Sequence, residues 1–189
     1  ARLSEKSLKG YQLFGPLSRE LMRSITLLAG HNQADVERFK RLGLEDSQSS
    51  VVGSIKFDIQ LSEQVKHSAQ QLKQAINNYD FVWVAGSTHP GEHEQIIAAH
   101  KLLCSSRKKS LLIIAPRHPE QFDPIAALLS DEDIAFARWS SRDLVDQPIL
   151  LADTMGEMLT FFGAANCAFI GGSLIDRGGH NPLEAAALG

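Results

Sequence analysis

An α/β fold, a Rossmann-like parallel sheet with helices on both faces, is the fold class this sequence predicts, and three observations predict it. Short β-rich apolar runs recur over residues 81–85, 111–115, 134–137, 149–151 and 168–170. Longer stretches with helical apolar spacing fall at 62–77, 91–104, 120–129 and 155–164, with a further helix opening at Pro182. The run at 111–115 carries no polar residue at all, as expected of a strand covered on both faces, and such strands alternating with helices imply βαβ units.

Ahead of this region, residues 17–28 mix apolar and basic side chains at helical spacing and run into a β-rich stretch at 25–29. From Asn32, the spacing of Ala34, Val36, Phe39 and Leu42 suits one helix face, with Gly43 as its C-terminal cap. Polar residues 45–50 read as a loop and 51–57 as a short strand or crossing segment. A domain boundary is placed there, dividing the chain into 1–52 and 53–189.

Bulk composition narrows the functions. With 189 residues and 43% hydrophobic content the chain can bury a sizeable core. A net charge of -3, with no dense basic run beyond Arg107-Lys108-Lys109, argues against nucleic acid as a partner. Cys104 and Cys167 match no zinc or redox spacing, and their apolar surroundings predict buried thiols in a reducing compartment, best met by the cytoplasm. No apolar run reaches the roughly 18 residues of a membrane span, and no secretory signal opens the chain. Both ends read as cut: the first residue is not Met, and the last lies inside a helical pattern.

Right-handed crossovers put every strand-to-helix loop at one sheet edge, where ligands of doubly wound sheets bind. Four of those loops are dense in glycine, proline and charge: 86–92, Pro116-Arg117-His118-Pro119, Asp153-Thr154-Met155-Gly156-Glu157 and 171–184. In the last, Pro182 suits a first helical turn and Asn181 the N-cap, so the free amides of the helix start suit a phosphate or sugar hydroxyls. Glu184 either faces the same cleft, accepting from ribose hydroxyls, or only favours the helix dipole. Asp153 or Thr154 is the expected cap of the preceding helix, with Glu157 at capping-box distance from Thr154 and Gly156 inside the first turn, where its missing side chain would admit a nucleotide. Arg117, pinned behind Pro116, is placed to fork onto phosphate oxygens; its plainer reading is a surface ion pair.

Other chemistries lack their signatures. His89-Pro90-Gly91-Glu92-His93 has the spacing of an H-x-x-E-H zinc site, but Pro90-Gly91 breaks the helix that would bring the two imidazoles to one metal. No phosphate-binding G-x-x-x-x-G-K-[ST] loop, dinucleotide G-x-G-x-x-G turn or G-x-S-x-G elbow is present.

Ser87-Thr88-His89, Pro116-Arg117-His118-Pro119-Glu120, Asp153-Thr154-Met155-Gly156-Glu157 and Gly171-Gly172-Ser173 with Arg177-Gly178-Gly179-His180-Asn181-Pro182-Leu183-Glu184 resemble the signatures of 3-deoxy-D-manno-octulosonic acid (Kdo) transferases. Ala1-Arg2-Leu3-Ser4 and residues 53–58 fit the same pattern, so the resemblance runs along nearly the whole chain in order. Pro90 and His93 depart from it, standing where the family usually has acidic residues.

The resemblance implies a two-domain GT-B glycosyltransferase that moves Kdo from CMP-Kdo to the lipid A precursor, lipid IVA, at the cytoplasmic face of the bacterial inner membrane. Residues 1–52 would then be a remnant of the acceptor domain, and 53–189 the donor-binding domain. By the same resemblance Pro116, Arg117, Met155, Gly156, Glu157, Asn181, Pro182, Leu183 and Glu184 bind the donor, with no cofactor and no metal. The catalytic base and the membrane association are expected upstream of Ala1, so this chain is expected to hold CMP without transferring sugar. The alternatives are another GT-B enzyme, a UDP-sugar transferase or epimerase, or a non-catalytic nucleotide-binding module.

Overall fold

A computed structural model of the chain describes residues 1–54, 61–106, 109–142 and 146–188. Two compact units divide it, Ala1–Asp58 and Ile59–Gly189.

The first unit holds helices α1 (Glu5–Gln12), α2 (Gly15–Arg23) and α3 (Gln33–Lys40) and strands β1 (Leu28–Gly30) and β2 (Ser49–Val51), paired in parallel. Local chemistry sets the helix starts. Ser4 accepts the Ser7 N–H ahead of α1, and Asn32 accepts the Asp35 N–H ahead of α3, each satisfying one orphan amide of a first turn. Leu3, Leu8, Met22, Leu28, Val36, Leu42 and Leu44 form its core. Buried Asp35 ties the chain start to α3, its Oδ1 accepting from the Leu3 N–H at 3.0 Å and the Arg38 Nη1 at 3.1 Å. The strand or crossing segment expected from Val51 begins earlier, as β2 covers Ser49–Val51 and takes its first two residues from the stretch read as a loop. Its polar Ser-Ser start hid it, because β1 supplies the pairing that side-chain patterning does not show. Residues 55–57 of that expectation lie outside the described residues.

The second unit is the expected parallel sheet. In chain order it runs α4 (Glu63–Ala75), β3 (Phe81–Thr88), α5 (His93–Ser106), β4 (Ser110–Pro116), α6 (Phe122–Asp131), β5 (Phe136–Arg138), β6 (Ile149–Leu151), α7 (Met158–Ala164), β7 (Cys167–Ile170) and α8 (Leu183–Ala186). Five strands lie in the order β5-β6-β4-β3-β7, all neighbours parallel. The period of two along each strand sorts side chains between two faces. Val82, Val84, Leu111, Ile113 and Leu150 meet Leu72 and Ile76 of α4 and Phe161 and Phe162 of α7. Ala85, Leu112, Ile114, Ile149 and Leu151 meet Ile96 and Ile97 of α5 and Ile125 and Leu129 of α6. Every residue of β4 is buried.

His100 of α5 is a structural histidine: the Trp83 indole N–H donates to its Nδ1 at 3.1 Å, so its Nε2 carries the proton and donates to the Pro148 carbonyl at 2.8 Å. Both thiols differ from expectation. Cys104 and Cys167 are exposed. Cys104 follows His100 by one turn on the packed side of α5, its Sγ 3.5 Å from His100 Nε2, and is uncovered because it falls in the last turn of the helix; Cys167 opens β7, which ends the sheet and has β3 as its neighbour among the described residues.

Ile113, fully buried between β3 and β6, tests this architecture. Ile113→Ala is expected to cost about 2–5 kcal/mol of unfolding free energy, measured by denaturant titration; a loss below about 1 kcal/mol would contradict the layered core.

Candidate functional site at the carboxyl edge of the sheet

β3 and β7 are neighbours, yet β3 leads into α5 on one face while β7 leads toward α8, which packs with α7 on the other. Diverging connections open a crevice between two strands at their carboxyl ends, the place where ligands of such sheets bind. β3 ends irregularly there. Its register against β4 shifts between Gly86 and Thr88, and Ser87 takes a left-handed φ of 56°, which a residue with a Cβ rarely adopts. The kink lets the Thr88 carbonyl accept the Arg117 N–H at 2.9 Å, coupling the β3 and β4 turns. On the other side the Gly171 N–H donates to the Gly86 carbonyl at 2.8 Å. Any Cβ at Gly171 would collide with the Ser87 carbonyl, so only glycine allows this approach.

Glu92 locks these segments together. Its side chain is 0% exposed. Oε2 accepts the backbone N–H groups of Gly172 at 2.9 Å and His89 at 3.0 Å, and Oε1 accepts that of Leu174 at 3.1 Å. Burial pushes the carboxyl's pKa up, but the amides of Gly172, Leu174 and His89 outweigh it, so Glu92 is held below the usual glutamate range. Beside it His93 Nε2 lies 3.1 Å from Thr88 Oγ1. His89, which precedes α5, instead faces His180 of the β7 loop, Nε2 to Nε2 at 2.6 Å, and the His118 ring stands edge-on at 5.7 Å between centroids.

The residues singled out from sequence all reach this edge, but they do not all touch. Pro116 is the buried last residue of β4, and Arg117 follows it exposed, with no ion pair to any described residue. Met155 and Gly156 are exposed beyond β6. Glu157 points elsewhere: Trp139 Nε1 donates to its Oε2 at 2.9 Å, Thr154 Oγ1 donates to the same oxygen, and Arg142 pairs with Oε1 at 3.4 Å. Asn181, Pro182, Leu183 and Glu184 form the exposed to half-buried start of α8. Among the described residues no hydrogen bond or ion pair joins Arg117, Gly156 and Glu184 to one another; what they share is the sheet edge.

Both expected helix starts shift. α7 begins at Met158 with Glu157 at the N-cap, so neither Asp153 nor Thr154 caps it and Gly156 lies outside the helix. Asp153 is drawn away by Ser140, whose N–H and hydroxyl donate to its two carboxylate oxygens at 2.8 and 2.7 Å. Gly156 has φ +84° and open space beyond its Cα, so a left-handed turn rather than helical packing requires it there. α8 has Pro182, not Asn181, at its N-cap: the Pro182 carbonyl accepts the first intrahelical bond, from the Ala186 N–H at 3.0 Å. Asn181 still serves the turn, its Oδ1 accepting the Leu183 N–H at 3.3 Å.

With this geometry in hand, comparison with known proteins is decisive. Residues 1–59 match a family model described as 3-deoxy-D-manno-octulosonic-acid transferase (kdotransferase). The 3-deoxy-D-manno-octulosonic acid transferase of Haemophilus influenzae is 34% identical over 190 residues, covering 100% of this chain and 44% of that protein. That of Bordetella pertussis is 33% identical, covering 100% of this chain and 45% of that protein. A crystal structure of the C-terminal CMP-Kdo binding domain of WaaA from Acinetobacter baumannii superposes with a TM-score of 0.62 at 32% identity, covering 67% of this chain and 68% of that one. The chain belongs to the Kdo transferase family. It spans less than half the length of these two curated Kdo transferases.

Within this Kdo transferase chain, Glu92, His89 and His180 stand at the same edge; the sequence motifs contain all three, but the sequence reading gave none of them a part in donor binding. Glu92 had a signal, an acidic residue next to a helix start, but its amide partners lie 80 and 82 residues away in sequence. His89 and His180 each stand in a quoted signature, but nothing in the sequence pairs them across 91 residues.

Glu92→Gln places an NH2 group against backbone donors. It is expected to destabilise the protein by about 1–3 kcal/mol and to speed amide exchange at Gly172 and Leu174; unchanged protection of those two amides would refute the latch. Because the Glu92 pKa is lowered, its contribution is complete above the ordinary glutamate range and is lost as pH falls through its folded value. The protection factors of the same two amides, corrected for intrinsic exchange, should therefore fall selectively on acidification below the ordinary glutamate range.

Proposed function

We propose that this chain is the donor-binding part of a glycosyltransferase that transfers Kdo from CMP-Kdo to the lipid A precursor, and that the donor occupies the crevice at the carboxyl edge of the second unit. The observation that carries this reading is the likeness to the Acinetobacter baumannii domain, itself described as a CMP-Kdo binding domain. Chemistry at the edge supports it. As the glycosidic bond breaks, negative charge grows on the departing cytidylate phosphate, and fixed cationic donors aimed at that oxygen lower the barrier. Arg117 is suited to this. Its backbone is fixed by Pro116 and Thr88, while its guanidinium has no carboxylate partner among the described residues to compete with a ligand. Met155-Gly156 and Asn181-Pro182-Leu183-Glu184 line the same edge and would complete the nucleotide contacts; Glu157 would act through the β6 turn that it braces against Trp139.

The boundary near residue 53 belongs to the same proposal: residues 1–52 continue the acceptor domain and 53–189 bind the donor. Association with the cytoplasmic face of the inner membrane belongs to the same proposal; no helix among the described residues is long and apolar enough to cross a membrane.

Calorimetric titration with CMP tests the reading. CMP is expected to bind in preference to UMP, and Arg117→Ala to weaken CMP by about tenfold or more, the worth of a charge-assisted hydrogen bond. Equal affinity for UMP, or an Arg117→Ala variant that binds CMP unchanged, would sink it.

A further inference from the structure

The imidazole cluster beside Glu92 has no role in the contacts proposed above. His89 is 3% exposed. Its Nε2 lies 2.6 Å from that of His180, and the two rings stack with centroids 4.9 Å apart. Two facing nitrogens at that distance share one proton, one ring donating to the lone pair of the other. The pair therefore carries no charge or a single positive charge, according to whether one further proton sits on an outer nitrogen.

The surroundings of His89 lower its pKa. Burial weighs most against charging His89, followed by Arg177 and His180 of the β7 loop and His118 of the β4 turn; Glu92 alone favours the charged form. Glu92 is already engaged by three backbone N–H groups. The β3, β4 and β7 turns thus bring His118 and the imidazole pair together, with Arg177 near enough to weigh against charge on His89, beside a carboxylate already held by three amides. Such an arrangement has donors and positive charge in excess, and it lacks an anion.

We propose that the His89–His180 pair, flanked by Arg177 and His118, receives an anionic oxygen group of the sugar-nucleotide donor and takes up one proton as that group binds. This rests on the donor-site reading above and adds a second anion seat to the one at Arg117. The group is a phosphate or a sugar carboxylate, which present the same chemistry to an imidazolium. The proton comes from solvent, so binding tightens as pH falls between the midpoints of the free and the occupied pair.

Histidine-selective 15N NMR on the chain reads the protonation of each ring directly. Titrations are compared without ligand and with saturating cytidine, CMP, and CMP together with free Kdo. The expected result is a rise of about one pH unit in the midpoint of the His89–His180 pair, equivalent to a tenfold change in affinity across that window, with no rise for cytidine. A rise with CMP alone assigns the seat to phosphate; a rise only when Kdo is added assigns it to the carboxylate. An unmoved midpoint with CMP and Kdo both present overturns the proposal while leaving CMP binding itself intact. Failure of CMP to bind in calorimetry instead overturns the donor reading and the proposal with it. In His180→Asn, measured at ligand concentrations that saturate the variant, the ligand-induced shift at His89 should vanish; a full shift at His89 in that variant would show that the pair is not the acceptor of the proton.

Discussion

A buried carboxylate with three backbone amides around it organises the carboxyl edge of the second unit. Glu92 stands at the start of α5, and two of its three partners, Gly172 and Leu174, belong to a loop at the far end of the sequence. The arrangement reconciles two opposed demands. A charge away from water is expensive, and loop amides without partners are expensive too; satisfying one with the other removes both costs. Because the carboxylate spends its acceptor capacity on the backbone, the side chains around it remain available for other work.

That latch acts on a scaffold whose topology does the positioning. β3 and β4 are apolar enough to be covered on both faces, and their helices diverge from β7 and its successor, so the crevice follows from strand order before any particular loop is considered. The kink at Ser87 and the bare Cα of Gly171 then bring two loops closer than ordinary residues permit. Strain at this point is offset by the Glu92 amides and by the layers beneath, which is why a non-glycine residue can hold a left-handed conformation there.

Much of the fold was legible in the sequence because it rests on periodicity. The all-apolar runs at 111–115 and 81–85 each announce a strand with two covered faces, and the sheet follows. What escaped depended on partners distant in sequence. Ser49–Val51 has no apolar alternation and is a strand only because Leu28–Gly30 lies beside it. Asp153 has the right chemistry to cap α7 and is diverted by Ser140, which no local rule anticipates. At the site, Arg117 was legible as an arginine fixed behind a buried strand, and it is found at the sheet edge with its guanidinium unpaired among the described residues. Glu157 has the composition of a ligand contact, yet its oxygens are spent on Trp139, Thr154 and Arg142. The histidine pair closes only in three dimensions.

Cys104 lies in the last turns of α5 and Cys167 opens β7, so both water-accessible thiols lie toward the amino ends of the strands. Helix and strand polarity put them on the opposite rim from Arg117, His89 and Gly171. Nature has thereby left two chemical handles on the rear of the domain: a fluorophore or spin label attached there can report on the front without standing in it, and air oxidation would link molecules back to back.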